Sequence, residues 1–401
     1  MSFTRVLGAA FGVTFALGGT ASLAAQTTYP AVKVTGSLQE QFYKYNHASF
    51  ASPADSGTSD LFTRRARIEV EGEINEYVRI KIQPSFEGGR EMSTQPTITC
   101  TPVPAGGGTP VCTSSGGRSG FRLRDAYITV SFTKPSDRTS FAFRLGQEKR
   151  PFNRYTLSSS RNLPSIERGA GTGLPGAASY DLLNGSGLIE HDVGASLLVG
   201  TRLAENQFAR LQAGVYNGEG ESVVKDKNNR KSFGLRGTAD LYQKLNIGAS
   251  FFSHDNANLA AAKDSSYNNT SFGVDAQWGK PGDEGLYLES DFFSGKDKSK
   301  AANKMRGLQL VGAYHIRMKS PTSWLYAIEP AFRFDVADPN TRLSGSEVTT
   351  QAGAKVTTWT AVLGFYMSSK AQFRLAYEHQ SSELANSVTI GGIRTALTVN
   401  F

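Results

Sequence analysis

The sequence predicts an all-β fold, a transmembrane antiparallel β-barrel of about sixteen strands with a long third loop folded into the lumen. Three observations predict it. Apolar residues recur with a period of two in one segment after another, polar connections alternate between long and short, and no window beyond the first residues is apolar enough for a spanning helix. A length of 401 residues would by itself suggest two or three soluble domains, a prior that barrels routinely break. The 42 glycines, the 10% of aromatic residues and the scattered hydrophobic residues suit a wall that is half polar.

The chain opens with MSFTRVLGAAFGVTFALGGTASLAAQ: Arg5, an apolar stretch from Val6 to about Leu17, then small residues around Ser22, Ala24 and Ala25. This is the pattern of a secretory signal peptide, so residues 1–25 are expected to be removed and residues 26–401 to form one barrel domain. A membrane anchor fits less well, because Thr14 and glycines interrupt a stretch already short of the roughly 20 residues a spanning helix needs. The first strand follows within a few residues, which leaves no room for the plug domain of an energy-coupled receptor.

The first strand lies near residues 31–43. The next two, near 61–74 and 77–88, are the plainest. FTRRARIEVEGEI sets Ala66, Ile68, Val70 and Ile74 on one face against Arg65, Arg67, Glu69, Glu71 and Glu73. YVRIKIQPSF sets Val78, Ile80 and Ile82 against Arg79, Lys81 and Gln83, and the tight link at Asn75 and Glu76 makes the pair a hairpin. The same alternation gives strands near 120–133, 140–149, 190–202, 207–217, 231–242, 245–254, 270–279, 285–294, 304–317, 324–336, 354–367 and 371–380. The last, near 392–401, places Ile393, Leu397, Val399 and Phe401 on one face. A terminal phenylalanine after alternating apolar residues is the ending that barrel-assembly machinery reads, so that machinery is an expected partner.

Long connections fall near 44–60, 89–119, 150–189, 218–230, 255–269, 295–303, 337–351 and 381–391, with seven short ones between them. Long loops outside and short turns inside are the pattern of the bacterial outer membrane, and a closed barrel is the sheet that leaves no unpaired backbone edge in lipid. Cys100 and Cys112 lie close together in the second long connection of an exported chain. A local disulfide is the expected reading; a metal site competes with it, but no histidine lies nearby.

If the apolar faces meet lipid, the opposite faces line the lumen. They carry Arg65, Arg67, Arg79, Lys81, Arg144, Arg236, Arg317, Arg333, Arg374 and Arg394, interspersed with Glu69, Glu71, Glu73, Asp125, Asp240, Glu329, Asp335 and Glu378. A mixed wall of this kind does not by itself name a solute. The net charge of +8 takes its meaning from where the charges point, and nothing in it calls for a nucleic acid. The third long connection is more informative: Arg150, Arg154, Arg161 and Arg168 face only Glu167 and Asp181 in it. Guanidinium groups bind oxyanions bidentately and basic rings favour anions, so an inward loop of this composition predicts an anion-preferring constriction. The same arginines could equally be tied to the wall as structural ion pairs.

Three segments resemble the phosphate-selective porin O and P family: FTRRARIEVEGEINEYVRIKIQPSFEGG at 62–89, LRDAYITVSF at 123–132, and FRLGQEKRPFNRYTLSSSRNLPSIERG at 143–169. The resemblance implies a sixteen-stranded barrel, a homotrimer, and basic residues that lead small anions, phosphate among them, to a narrow zone. It assigns Arg64 and Arg65 to the paired-arginine motif, Arg161 to the basic position after the serine pair, and Glu167 and Arg168 to the Glu-Arg motif. Arg67 and Arg154 join them on physical grounds, and Arg64, Arg65, Arg154, Arg161 and Arg168 are expected to converge at one height. Thr156 stands where well-known phosphate-selective members carry a lysine.

The other readings are a general or weakly selective porin, an outer-membrane enzyme and an adhesin. No enzyme, cofactor or metal is expected. His47, His191, His254, His315 and His379 are dispersed, no GxSxG occurs, and the GTGLPG at Gly171–Gly176 lacks the strand-turn-helix setting that phosphate cradling needs.

Overall fold

Alternation of apolar and polar residues has one consequence in lipid: each strand turns its apolar row outward, and the sheet must close. The computed structural model shows this closure. It describes residues 29–50, 57–86, 97–100, 112–115, 121–134, 136–221, 226, 229–242, 244–257, 266–297, 303–322 and 324–401; the expected signal peptide lies outside them. Among the described residues, β1 (Ala31–Tyr45), β2 (Thr58–Glu73) and β3 (Val78–Ser85) begin the barrel. β4 (Thr97–Cys100) and β5 (Cys112–Ser115) form a separate two-stranded hairpin in the second long connection. β6 (Arg122–Ser131), β7 (Thr139–Lys149), β8 (His191–Ala204), β9 (Gln207–Tyr216), β10 (Ser232–Asp240) and β11 (Leu245–Ala257) continue the wall. β12 (Ser266–Trp278), β13 (Gly285–Asp297), β14 (Asn303–Thr322), β15 (Leu325–Asp338), β16 (Val356–Tyr366), β17 (Ala371–Ser382) and β18 (Ile390–Asn400) complete it.

Each of these sixteen strands pairs antiparallel with its neighbours, and β1 closes on β18 from Ser37↔Asn400 to Tyr45↔Gly392. Past the ladder, Gly36 and Phe401 exchange backbone hydrogen bonds of 2.9 and 3.1 Å. A Cβ on Gly36 would meet the Phe401 ring at 2.2 Å and the Arg67 carbonyl at 2.8 Å. Gly36→Val should therefore open this end of the seam, costing about 1–3 kcal/mol as overpacking does. The check is the temperature at which the folded barrel loses its compact mobility on a detergent gel, and an unchanged temperature would count against the seam contact.

The wall is inside out relative to a soluble protein. Val32, Val34, Ile68, Leu145, Leu197 and Leu288 are exposed, whereas Arg333, Arg374, Arg394, Asp335 and Glu378 are buried. Exposed aromatics at the short-turn end, Phe132, Tyr242, Trp278, Trp324 and Phe401, form the kind of girdle that sits at a lipid–water interface. The two-residue link between β8 and β9 is made by Glu205 and Asn206, and Asn206 takes the left-handed conformation (φ 60°) that asparagine tolerates.

Loop lengths separate less cleanly than the sequence suggests. β13 and β14 run beyond their expected ends and leave only residues 298–302 between them, shorter than the 132–138 turn. Ladder pairing up to Asp297↔Asn303 has absorbed the polar ends of that connection into strand. In the β4–β5 hairpin the backbone register sets Cys100 opposite Cys112. Their side chains lie outside the described residues, and we propose the disulfide on this register. A maleimide should then label the denatured chain only after reduction, and labelling without reductant would exclude the bond.

Candidate functional site

Two cavities run along one side of the interior. The wider, about 610 Å³, lies at the short-turn end of β3 and β6–β10. Its lining carries seven basic residues (Arg79, Lys134, Arg138, Arg144, Arg202, Arg210 and Arg236) against Glu76 and Asp137. The narrower, about 260 Å³, carries Arg67, Lys81, Arg124, Arg144, Lys149, Arg161 and Arg168 against Glu69, Asp125, Glu148 and Glu190. Arg144, Leu157 and Gln212 line both, so the two cavities adjoin.

Other parts of the inner face are bonded to the third long connection, residues 150–190, which also contributes Leu157, Ser160 and Arg161 to the narrow cavity. Short helices α1 (Arg154–Leu157) and α2 (Ser179–Gly185) lie in this connection. Phe152, Leu182, Leu183, Leu188 and Ile189 pack with Phe252, Phe293, Met305 and Ala337 from β11, β13, β14 and β15. Wall arginines take up the segment's backbone carbonyls: Arg333 donates to those of Glu167, Arg168 and Gly169 at 2.7–3.0 Å. Arg394 donates to Ala170 and Thr172 at 3.2 and 2.9 Å while its Nε holds Glu378 at 2.9 Å. Gln380 bonds both the N–H and the carbonyl of Gly176, and Asp335 accepts from the Ser179 N–H and hydroxyl. Asp181 accepts from the N–H groups of Ala170 and Ala178; burial, only partly offset by these bonds, pushes its carboxyl up.

The six arginines singled out from the sequence divide between these two settings. Arg64 and Arg65 both reach Glu167, Arg64 Nε at 2.8 Å and Arg65 Nη2 at 3.1 Å, and Gln41 adds a third bond at 2.7 Å. Strict alternation would turn Arg64 toward lipid. The β1–β2 ladder shifts register here, from Gln39↔Arg65 to Glu40↔Thr63, so Arg64 is the extra residue of a β-bulge and both guanidiniums face inward. Burial alone would raise the Glu167 carboxyl, but these two arginines outweigh it and hold the group well below the usual carboxylate range.

Arg154 is tied to the opposite wall through Asp275 at 2.8 Å, Gln277 at 3.1 Å and Asn246. Arg67 donates to Ser160 at 2.8 Å, and Arg161 meets Glu69 at 3.0 Å; both line the narrow cavity. Arg168 lines it too while donating to the carbonyls of Tyr155 and Ser158, and burial lowers its pKa. The expected single ring is thus two groups, Arg64 and Arg65 clamped on Glu167 and Arg67, Arg161 and Arg168 on the cavity, with Arg154 held apart by the β11–β12 wall.

Sequence reading passed over Arg124, Lys149 and Glu190. Lys149 does not follow from alternation, since it shares the frame of the exposed Phe141, Phe143 and Leu145, yet its ammonium donates to the carbonyl of Thr156 at 2.7 Å. Arg124 does not follow from alternation. The β3–β6 ladder shifts between Ile82↔Ala126 and Pro84↔Leu123, so Arg124 and Asp125 together oppose Gln83, and both reach the cavity.

A family model described as phosphate-selective porin O and P matches residues 32–277. The chain belongs to that family. Solved structures agree on the fold. The outer-membrane channel DcaP of Acinetobacter baumannii aligns at 11% identity over 96% of this chain and 100% of its own, with a TM-score of 0.57. The anion-selective porin of Comamonas acidovorans aligns at 12% over 93% and 100%, TM-score 0.53. The trimer form of OmpT from Vibrio cholerae aligns at 11% over 93% and 99%, TM-score 0.52. No curated protein matches. The protein is a porin of the bacterial outer membrane, and its cavity lining is the wall of a channel.

Proposed function

We propose that this porin gives passive, anion-preferring passage to small oxyanions such as phosphate, with residues 150–190 forming the inward loop that narrows its channel. The excess of basic over acidic residues along both cavities is the observation that carries the reading. Basic linings in a confined, low-dielectric passage concentrate anions and exclude cations. The porin needs no cofactor for this and performs no chemistry. Removal of residues 1–25 on export, recognition of Phe401 by the assembly machinery, and a homotrimer like that of the Vibrio cholerae OmpT structure belong to the same reading.

Planar-bilayer recording tests it. Under a potassium chloride gradient the reversal potential should have the sign of chloride permeation, and added phosphate should reduce chloride current by occupying the narrow cavity. Anion preference without block would make this a general anion pore; cation preference would overturn the reading.

A further inference from the structure

The narrow cavity includes a histidine that the basic lining does not account for. His191, at the start of β8, is 1% exposed. Its Nε2 lies 3.3 Å from Asp125 Oδ1 and its Nδ1 lies 3.6 Å from Glu190 Oε2, so a carboxylate faces each ring nitrogen. A neutral imidazole has one N–H and one lone pair, so in either tautomer a lone pair faces a carboxylate oxygen. Only the imidazolium presents an N–H to both.

The neighbours reinforce this geometry. Lys81 stands 3.6 Å from Asp125, Arg124 stands 3.7 Å from Glu190, and the Tyr180 hydroxyl donates to Glu190. Lys149 and Arg168 add positive potential at Glu190. Burial would raise the Glu190 carboxyl, but His191 and Arg124 outweigh it and hold the group in its charged form. Glu190 also carries φ of 81°, a conformation that a non-glycine residue keeps only under constraint, and here it sets the carboxylate beside the ring.

We propose that His191 is a selectivity-determining residue of this channel: protonated, it adds a positive charge between Asp125 and Glu190 and favours anions, and deprotonated, it takes that charge away from the cavity. The inference rests on the anion-porin reading above. Imidazole is a side chain whose charge answers to ambient acidity, so the channel's preference follows pH.

The test is the chloride-to-potassium permeability ratio of the full-length porin in bilayers at about pH 5 and about pH 8. The wild type should lose at least about threefold of its preference on going to the higher pH, as expected for one charge close to the ion path. His191→Gln should show a flat ratio. Should that variant fail to assemble, His191→Asn, equally without a titrating ring, should show the same flat ratio. A wild-type ratio that is anion-preferring but constant with pH, or a full pH response kept by His191→Gln, overturns the inference alone. A wild type without anion preference at either pH overturns the porin reading beneath it.

Discussion

Replacing Arg67, Lys81 and Arg161 together by glutamine should abolish the anion preference of the channel. The narrow cavity would then hold four basic residues, Arg124, Arg144, Lys149 and Arg168, against the four acids Glu69, Asp125, Glu148 and Glu190. A unit charge roughly 8 Å from a passing ion, at an effective dielectric constant of about 40, is worth about 1 kcal/mol before salt screening. Three such charges act with opposite sign on anion and cation, so the permeability ratio should fall at least about tenfold. Glutamine keeps a polar, hydrogen-bonding side chain at these positions, and folded barrels are expected at near wild-type yield. A ratio within about twofold of the wild type would show that selectivity is set elsewhere, and the wider cavity with its seven basic residues would be the place to look.

Glu167→Gln is expected to have the largest effect on residues 150–190. The carboxylate is 2% exposed and holds Arg64 and Arg65 together. Its loss takes from the buried Arg65 a carboxylate 3.1 Å away, and breaking a buried ion pair costs up to about 3–5 kcal/mol, with a smaller share from Arg64, whose side chain is 30% exposed. The outcome should be a loosened crest around residues 160–172, seen as noisier and larger single-channel conductance and faster cleavage of that segment by added protease. The pH dependence has a definite sign. A carboxyl whose folded-state pKa is depressed contributes stability that is present above its unfolded value of about 4.3 and is lost only as pH falls through the folded value. Burial opposes that depression and the two arginines cause it. Wild-type traces should therefore stay quiet on acidification to about pH 4, whereas the glutamine variant should be noisy at every pH. Quiet traces from the variant would mean that Arg333 and Arg394 hold the crest without the ion pair.

The arginine pair shows where reading a sequence stops. Arg65 and Arg67 follow from period two, because a strand turns every second side chain to the same face. Arg64 is odd by that rule and faces inward only because a bulge inserts it between two register frames of β1 and β2. Arg124 and Asp125 repeat the case on β6. A bulge belongs to a pair of strands, so neither strand's own sequence announces it. The resemblance to the family pointed to Arg64, while Arg124 carried no comparable signal.

The sequence by itself determined the barrel. Alternation, strand length and the rhythm of connections are local properties, and lipid enforces them, since an unpaired or polar outer row has nowhere to go. Tertiary structure alone decided what each inward charge does. Arg333, Arg374 and Arg394 read from sequence as lumen arginines like any others, but they donate to carbonyls of residues 165–172, more than 150 positions away. Arg67, Arg144 and Arg161 line the narrow cavity instead, Arg67 and Arg144 from the wall and Arg161 from the loop itself. Which basic residues hold the loop and which meet the ion depends on contacts between distant parts of the chain, and a one-dimensional pattern carries no record of them.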